Sequence, residues 1–148
     1  MNDIGKTYFL AVSTGNVGKF IGDFTSTWRR LPADVQENIL KYWSNSQFSI
    51  TFELSNFWKH NENKNTCANA GARGCELKFR SDDFEIMPPE VAQYIIAHEL
   101  AHVYQFSAKL VTGKGYDFEG IADKLAKEWG FDYKAQIAWR LEQLNKSR

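Results

Sequence analysis

The apolar positions along the chain change period several times, and each change marks an element. In Pro32 to Trp43 (PADVQENILKYW), Val35, Ile39, Leu40 and Trp43 fall on one helical face. Pro32 suits a first turn, and Asp34 and Glu37 favour the positive end of the helix dipole. From Phe48 to Leu54 the pattern becomes strict alternation, with Phe48, Ile50, Phe52 and Leu54 against Ser49, Thr51 and Glu53, which predicts a half-buried strand. His60 to Gly74 is polar and rich in Asn and Gly, and reads as an irregular loop. Cys75 to Arg80 alternates again, with Cys75, Leu77 and Phe79 on one face; this second strand has room to extend past Asp82.

Pro88 and Pro89 then open a helix from Glu90 to about Leu110, ended by Thr112-Gly-Lys-Gly115. Asp117 is placed to cap a further helix running to Trp129, with Gly130 as its stop, and Asp132 to cap a last one through Leu144. The first 30 residues mix aromatic and polar positions with Gly5, Gly15, Gly18 and Gly22, and predict no firm element. Gly15-Asn-Val-Gly18-Lys19 is not a phosphate loop: two residues rather than four separate the glycines, and Phe20 stands where Ser or Thr is needed. The order of helix, strands and three helices predicts an α+β fold.

At 148 residues and 17.0 kDa the chain has the length of one domain, residues 1–148. Its 43% hydrophobic and 24% charged residues place it among globular proteins. Lys+Arg and Asp+Glu are equal at 18 each, which argues against a nucleic-acid partner or a polybasic membrane anchor. No apolar run approaches the length of a membrane span, and Tyr8 to Val12 is too short for a signal peptide core. Cys67 and Cys75 make no disulfide framework and read as reduced thiols, with a single bridge in an exported protein as the alternative. The expectation is a cytoplasmic monomer.

The chemistry lies in His98-Glu99-Leu100-Ala101-His102, an H-E-x-x-H in the middle of the strongest predicted helix. Residues four apart on a helix stand one above the other, so both imidazoles can share one zinc ion. Glu99 then projects beside the metal, where it can take a proton from bound water and return it to a leaving amine. The flanking Ile95, Ile96, Ala97, Leu100, Ala101 and Val103 predict a buried helix, in which unpaired His and Glu would be costly. A catalytic zinc needs a third protein ligand. The one other histidine, His60, lies far upstream, and Gln105 and Ala108 exclude a third His at the metzincin spacing. Downstream carboxylates are Asp117, Glu119, Asp123, Glu128, Asp132 and Glu142. Glu119 and Asp123 stand out: four apart, they share a face with Ala122 and Ala126, small residues that let two helices approach. The plainer reading of Glu119 is an acid that complements the helix dipole.

His98-Glu-Leu-Ala-His102 followed by Glu119-x-x-Ala-Asp123 resembles the gluzincin pattern of zinc metallopeptidases, as in the neprilysin-like and CAAX-prenyl-protease-like branches. The resemblance covers about Pro88 to Phe131. It implies a zincin-like fold, one Zn²⁺ held by His98, His102 and Glu119, Glu99 as the catalytic base, and Asp123 accepting a hydrogen bond from a ligand His. Only 16 residues separate His102 from Glu119, shorter than in many gluzincins, which makes the chain resemble a minimal member. It also implies an edge strand beside the active-site helix that pairs with substrate, for which Cys75 to Arg80 is in the right place.

A donor for the developing oxyanion is sought among Tyr104, Tyr116, Tyr133, Arg80 and His60, with Tyr116 preferred because it precedes the ligand helix. His60, Cys67 and Cys75 fit no usual structural zinc spacing. The expected activity is zinc-dependent hydrolysis of a peptide bond in a peptide or protein substrate. The alternatives are a non-catalytic zinc-binding module and a hydrolase of another amide.

Overall fold

The computed structural model of the chain describes residues 17–53 and 68–146. Among them, six α-helices surround a three-stranded mixed sheet: α1 (Val17–Arg30), α2 (Ala33–Ser44), β1 (Ser49–Glu53), β2 (Ala68–Gly71), β3 (Glu76–Arg80), α3 (Ser81–Ile86), α4 (Pro89–Ser107), α5 (Phe118–Glu128) and α6 (Tyr133–Lys146). The α+β architecture agrees with the sequence pattern, and of the antiparallel or mixed sheet expected with a zincin-like fold the mixed form is observed.

The strand order is β1-β3-β2. β1 runs parallel to β3, with Ile50 opposite Leu77 and Phe52 opposite Phe79; β2 runs antiparallel, with Ala68 opposite Phe79 and Ala70 opposite Leu77. The alternation read in both predicted strands puts Ile50, Phe52, Leu77 and Phe79 fully inside. They meet α1, where Phe20, Phe24 and Trp28 form a stripe four residues apart. Phe20 stacks on Phe52 at 4.4 Å and meets Phe84 edge-on at 5.3 Å. Such aromatic pairs add about 0.5–1.5 kcal/mol each to the burial of their area.

Three expectations about the sheet fail. Residues 68–71, inside the stretch read as loop, are a strand, because a paired β3 offers them backbone partners. β3 is therefore the central strand and cannot present an edge to substrate; β2 can. Nor does β3 extend past Asp82, since the chain turns into α3 at Ser81.

α4 is the hub. Apolar on nearly every side, it packs against α1, α2, α5, α6 and β2. A 3₁₀ turn (Ala72–Gly74) after β2 seats on its last turns. Gly74 there has φ 83°, and a Cβ on it would stand 2.9 Å from Val103 Cα. Only glycine allows that backbone both the conformation and the approach. The Trp43 indole N–H donates to the Gly74 carbonyl (2.9 Å), tying α2 to the same turn. No helix among the described residues is long and apolar enough to cross a membrane. Cys75 carries a free thiol; Cys67 and His60 lie outside the described residues, as do Gly15 and Asn16.

Candidate metal centre

The caps expected from sequence fix α5 and α6. Asp117 Oδ1 accepts from the Gly120 N–H (3.0 Å) and Asp132 Oδ1 from the Ala135 N–H (2.9 Å), each satisfying an otherwise unpaired helix donor. Gly130 turns the chain between them at φ 92°. On α5 the small Ala122 and Ala126 are fully buried, so its backbone lies close to α4. Gln105 ties the two helices at the same end: its buried amide donates to the Ala101 carbonyl (3.2 Å) and to the Phe118 carbonyl (3.3 Å), one residue before Glu119.

This arrangement brings His98, His102 and Glu119 together. One ligand atom from each lies within 4.8 Å of the others. His98 Nε2 is 3.0 Å from Glu119 Oε2, and His102 Nε2 is 2.9 Å from Glu119 Oε1. The two ligand histidines are largely buried, whereas the Glu119 side chain is 73% exposed. Asp123, one turn beyond Glu119, accepts from His98 Nδ1 at 2.9 Å and from the Tyr94 hydroxyl at 2.6 Å on the same oxygen, Oδ1.

An imidazole with both nitrogens facing carboxylates can donate to both only when protonated. Burial alone would push the His98 pKa down. The hydrogen bond to Glu119 and the charges of Glu99, Glu119 and Asp123 outweigh it, and the value is raised. Glu119 is held far below the usual carboxylate range by hydrogen bonds from His102 and His98, against the opposing pull of burial. Tyr94 is pushed well above a free phenol by burial and by its bond to Asp123, so it remains a donor.

The donor set fits a divalent ion. An ionised Asp123 would hold the His98 proton on Nδ1, which would leave Nε2 free for a metal ion. Two His and one Glu are a three-ligand catalytic zinc set. The candidate ligand atoms of the three residues lie within 4.8 Å of one another, close enough for one ion to be shared among them. His98, His102 and Glu119 would hold the ion.

Glu99 lies beside this cluster and is nearly fully buried. Burial pushes its pKa up, and the charges of His98 and His102 pull it down; the net shift is upward. A carboxylate with a raised pKa is suited to receiving and returning a proton.

The cluster opens into a cleft of about 660 Å³. α4 forms its floor, with Tyr94, His98, Glu99 and His102. Ala68, Asn69 and Ala70 of β2, with Arg73 of the following turn, make one wall; Tyr133, Gln136, Ile137 and Arg140, one face of α6, make another. Of the residues considered as oxyanion donors, Tyr133 lines the cleft. Tyr116 does not: its ring packs edge-on against Phe118 at 4.9 Å. Tyr104 packs on Trp129, and Arg80 faces Asp83. The sequence reading missed Tyr94, although it lies four residues before His98 on the face that carries both ligands. It also missed Arg140, whose position rests on how α6 folds back over α4.

Compared with known proteins, the chain matches no family model, no curated protein and no solved structure.

Proposed function

We propose that this protein is a zinc-dependent peptidase of the gluzincin type, on a minimal zincin-like scaffold. The observation that carries the reading is the convergence of His98, His102 and Glu119 beside a buried Glu99, with Asp123 bonded to the far nitrogen of His98. A zinc ion in such a set supplies a water of near-neutral pKa and a Lewis acid for the scissile carbonyl.

This chain's residues do the rest. Asp123 keeps the His98 proton on Nδ1, and Tyr94 holds Asp123. Glu99 accepts the proton of the attacking water and passes it to the leaving amine. Tyr133 is placed in the cleft to donate toward the carbonyl oxygen as charge develops on it. Among the described residues β2 ends the sheet and lines the cleft, where its outer edge could pair with an extended peptide. A purely structural zinc site would have no use for Glu99, whose burial in that position costs stability.

The test is Glu99→Gln, purified with zinc and assayed on a mixed peptide library by mass spectrometry. It is expected to keep about one zinc per chain and lose at least about 100-fold in turnover. Cleavage at the wild-type rate refutes the mechanism. A wild-type protein that binds zinc yet cleaves no peptide points instead to a binding module or to another amide.

A further inference from the structure

Outside the metal centre the cleft has an unbalanced charge. Its carboxylates are Glu99, Glu119 and Asp123, and all three belong to the cluster just described. A divalent ion offsets them to within one charge. The remaining charged residues of the cleft are Arg73 and Arg140, both positive and on separate walls. Neither guanidinium forms a salt bridge among the described residues; Arg140 lies close enough to Glu99 for its charge to pull that carboxyl's pKa down without pairing with it. The net charge of the whole chain is zero, so this excess is local to the cleft and not a property of the surface at large.

We infer that the cleft selects an acidic peptide segment, with Arg73 and Arg140 each receiving a carboxylate of the bound chain. This deepens the peptidase reading and rests on it. The arrangement suits such a ligand. Arg73 follows β2, the strand edge along which a peptide can lie, and Arg140 follows Tyr133, Gln136 and Ile137 on the face of α6 turned to the cleft. Guanidinium forks bind carboxylates through paired charged hydrogen bonds, and a partly enclosed cleft weakens competition from water. Phe106 and Phe118 provide apolar contact near the metal, so the segment is expected to combine acidic and apolar side chains. The carboxylates could come from Asp and Glu side chains or from a free C-terminus. Two guanidiniums on separate walls favour side chains, because a chain has a single C-terminus.

The experiment measures binding without turnover. Zinc-loaded Glu99→Gln protein is titrated with fluorescent peptides of one backbone, carrying Asp and Glu or their amides Asn and Gln, each with a free or an amidated C-terminus. The acidic peptides are expected to bind about tenfold more tightly at low salt, with the difference shrinking as salt rises. Arg73→Gln and Arg140→Gln, each added to that background, should each reduce the preference, while Arg73→Lys and Arg140→Lys keep part of it. Equal affinity for acid and amide peptides overturns the inference. So does a preference that follows only the free C-terminus, or one that survives the double Gln variant with its fold intact by circular dichroism. Preference for acidic peptides in a protein whose wild type cleaves none would sink the peptidase reading alone; cleavage by the wild type without that preference would sink this inference alone.

Discussion

Replacing Asp123 by Asn keeps the shape of the side chain and removes its charge. In the wild type one oxygen, Oδ1, accepts from Tyr94 at 2.6 Å and from His98 at 2.9 Å. A hydrogen bond to a charged acceptor is worth about 1.5–3 kcal/mol net, and a neutral one about 0.5–1.5. Two such bonds made neutral lose about 2 kcal/mol in the fully enclosed limit. The Asp123 side chain is 36% exposed, so screening brings this to about 1–2 kcal/mol. Only the part that holds His98 in its metal-facing form is felt in zinc affinity. Taking the His98 bond as about half of the total, the expected loss is about 2- to 5-fold, below the roughly 10- to 100-fold typical of removing such a supporting group outright. If the amide turns its NH₂ toward Nδ1, the proton moves to Nε2 and the loss is larger. Competition for zinc against a chromogenic chelator reads this directly, with Tyr94→Phe as a companion expected to lose a smaller amount. Wild-type zinc affinity in Asp123→Asn, under conditions where Glu119→Gln is clearly weakened, would refute the argument.

Gly74→Ala should destabilise the fold by about 2–4 kcal/mol, since it adds backbone strain at φ 83° to a clash 2.9 Å from Val103 Cα. Chemical denaturation measures this, and a midpoint equal to the wild type would show that the turn can move away from α4 at little cost. The pH dependence has a definite sign. The His98 pKa is raised in the folded metal-free protein, so its stabilising contact is fully present below pH 6.5 and is lost as pH rises through the folded value. Zinc competes with the same proton, so zinc affinity climbs over the range where the metal-free protein weakens. Denaturation with and without zinc from pH 6 to 9 should therefore diverge steadily, and parallel curves would contradict it. Zinc binding at pH 7 should also release protons, measurable as a buffer-dependent heat.

The candidate site was legible because its groups are local. His98 and His102 are four apart, Glu119 and Asp123 are four apart, and small alanines mark the face that joins the helices. The helices expected from Glu90, Asp117 and Asp132 lie where those signals put them, within a few residues. The end of α4 was missed by a few residues because Lys109 takes the left-handed position (φ 57°) that glycine usually marks. The N–H groups of Lys109 and Leu110 close the turn onto Phe106 and Gln105. α1 was missed although Phe20, Phe24 and Trp28 keep helical spacing. Gly18, Gly22 and two threonines lower its intrinsic propensity, and burial against the sheet overrides them. β2 (ANAG) has no alternation to read; it is a strand because β3 pairs with it. Strand order is likewise non-local, which is why β3 was mistaken for an edge.

The five groups from Tyr94 to Asp123 that build the candidate centre come from one short stretch of chain, two helices and the turn between them. Closing so short a loop costs little chain entropy, and local contacts form early in folding. α6, which walls the cleft, is the last described element to leave the ribosome. The hairpin of α4 and α5 thus precedes α6 in synthesis, and its imidazoles would be open to solvent before that helix covers them. Truncating the chain before Tyr133 would remove that wall and keep His98, His102 and Glu119, so the order of the elements puts the candidate centre first and its cover last.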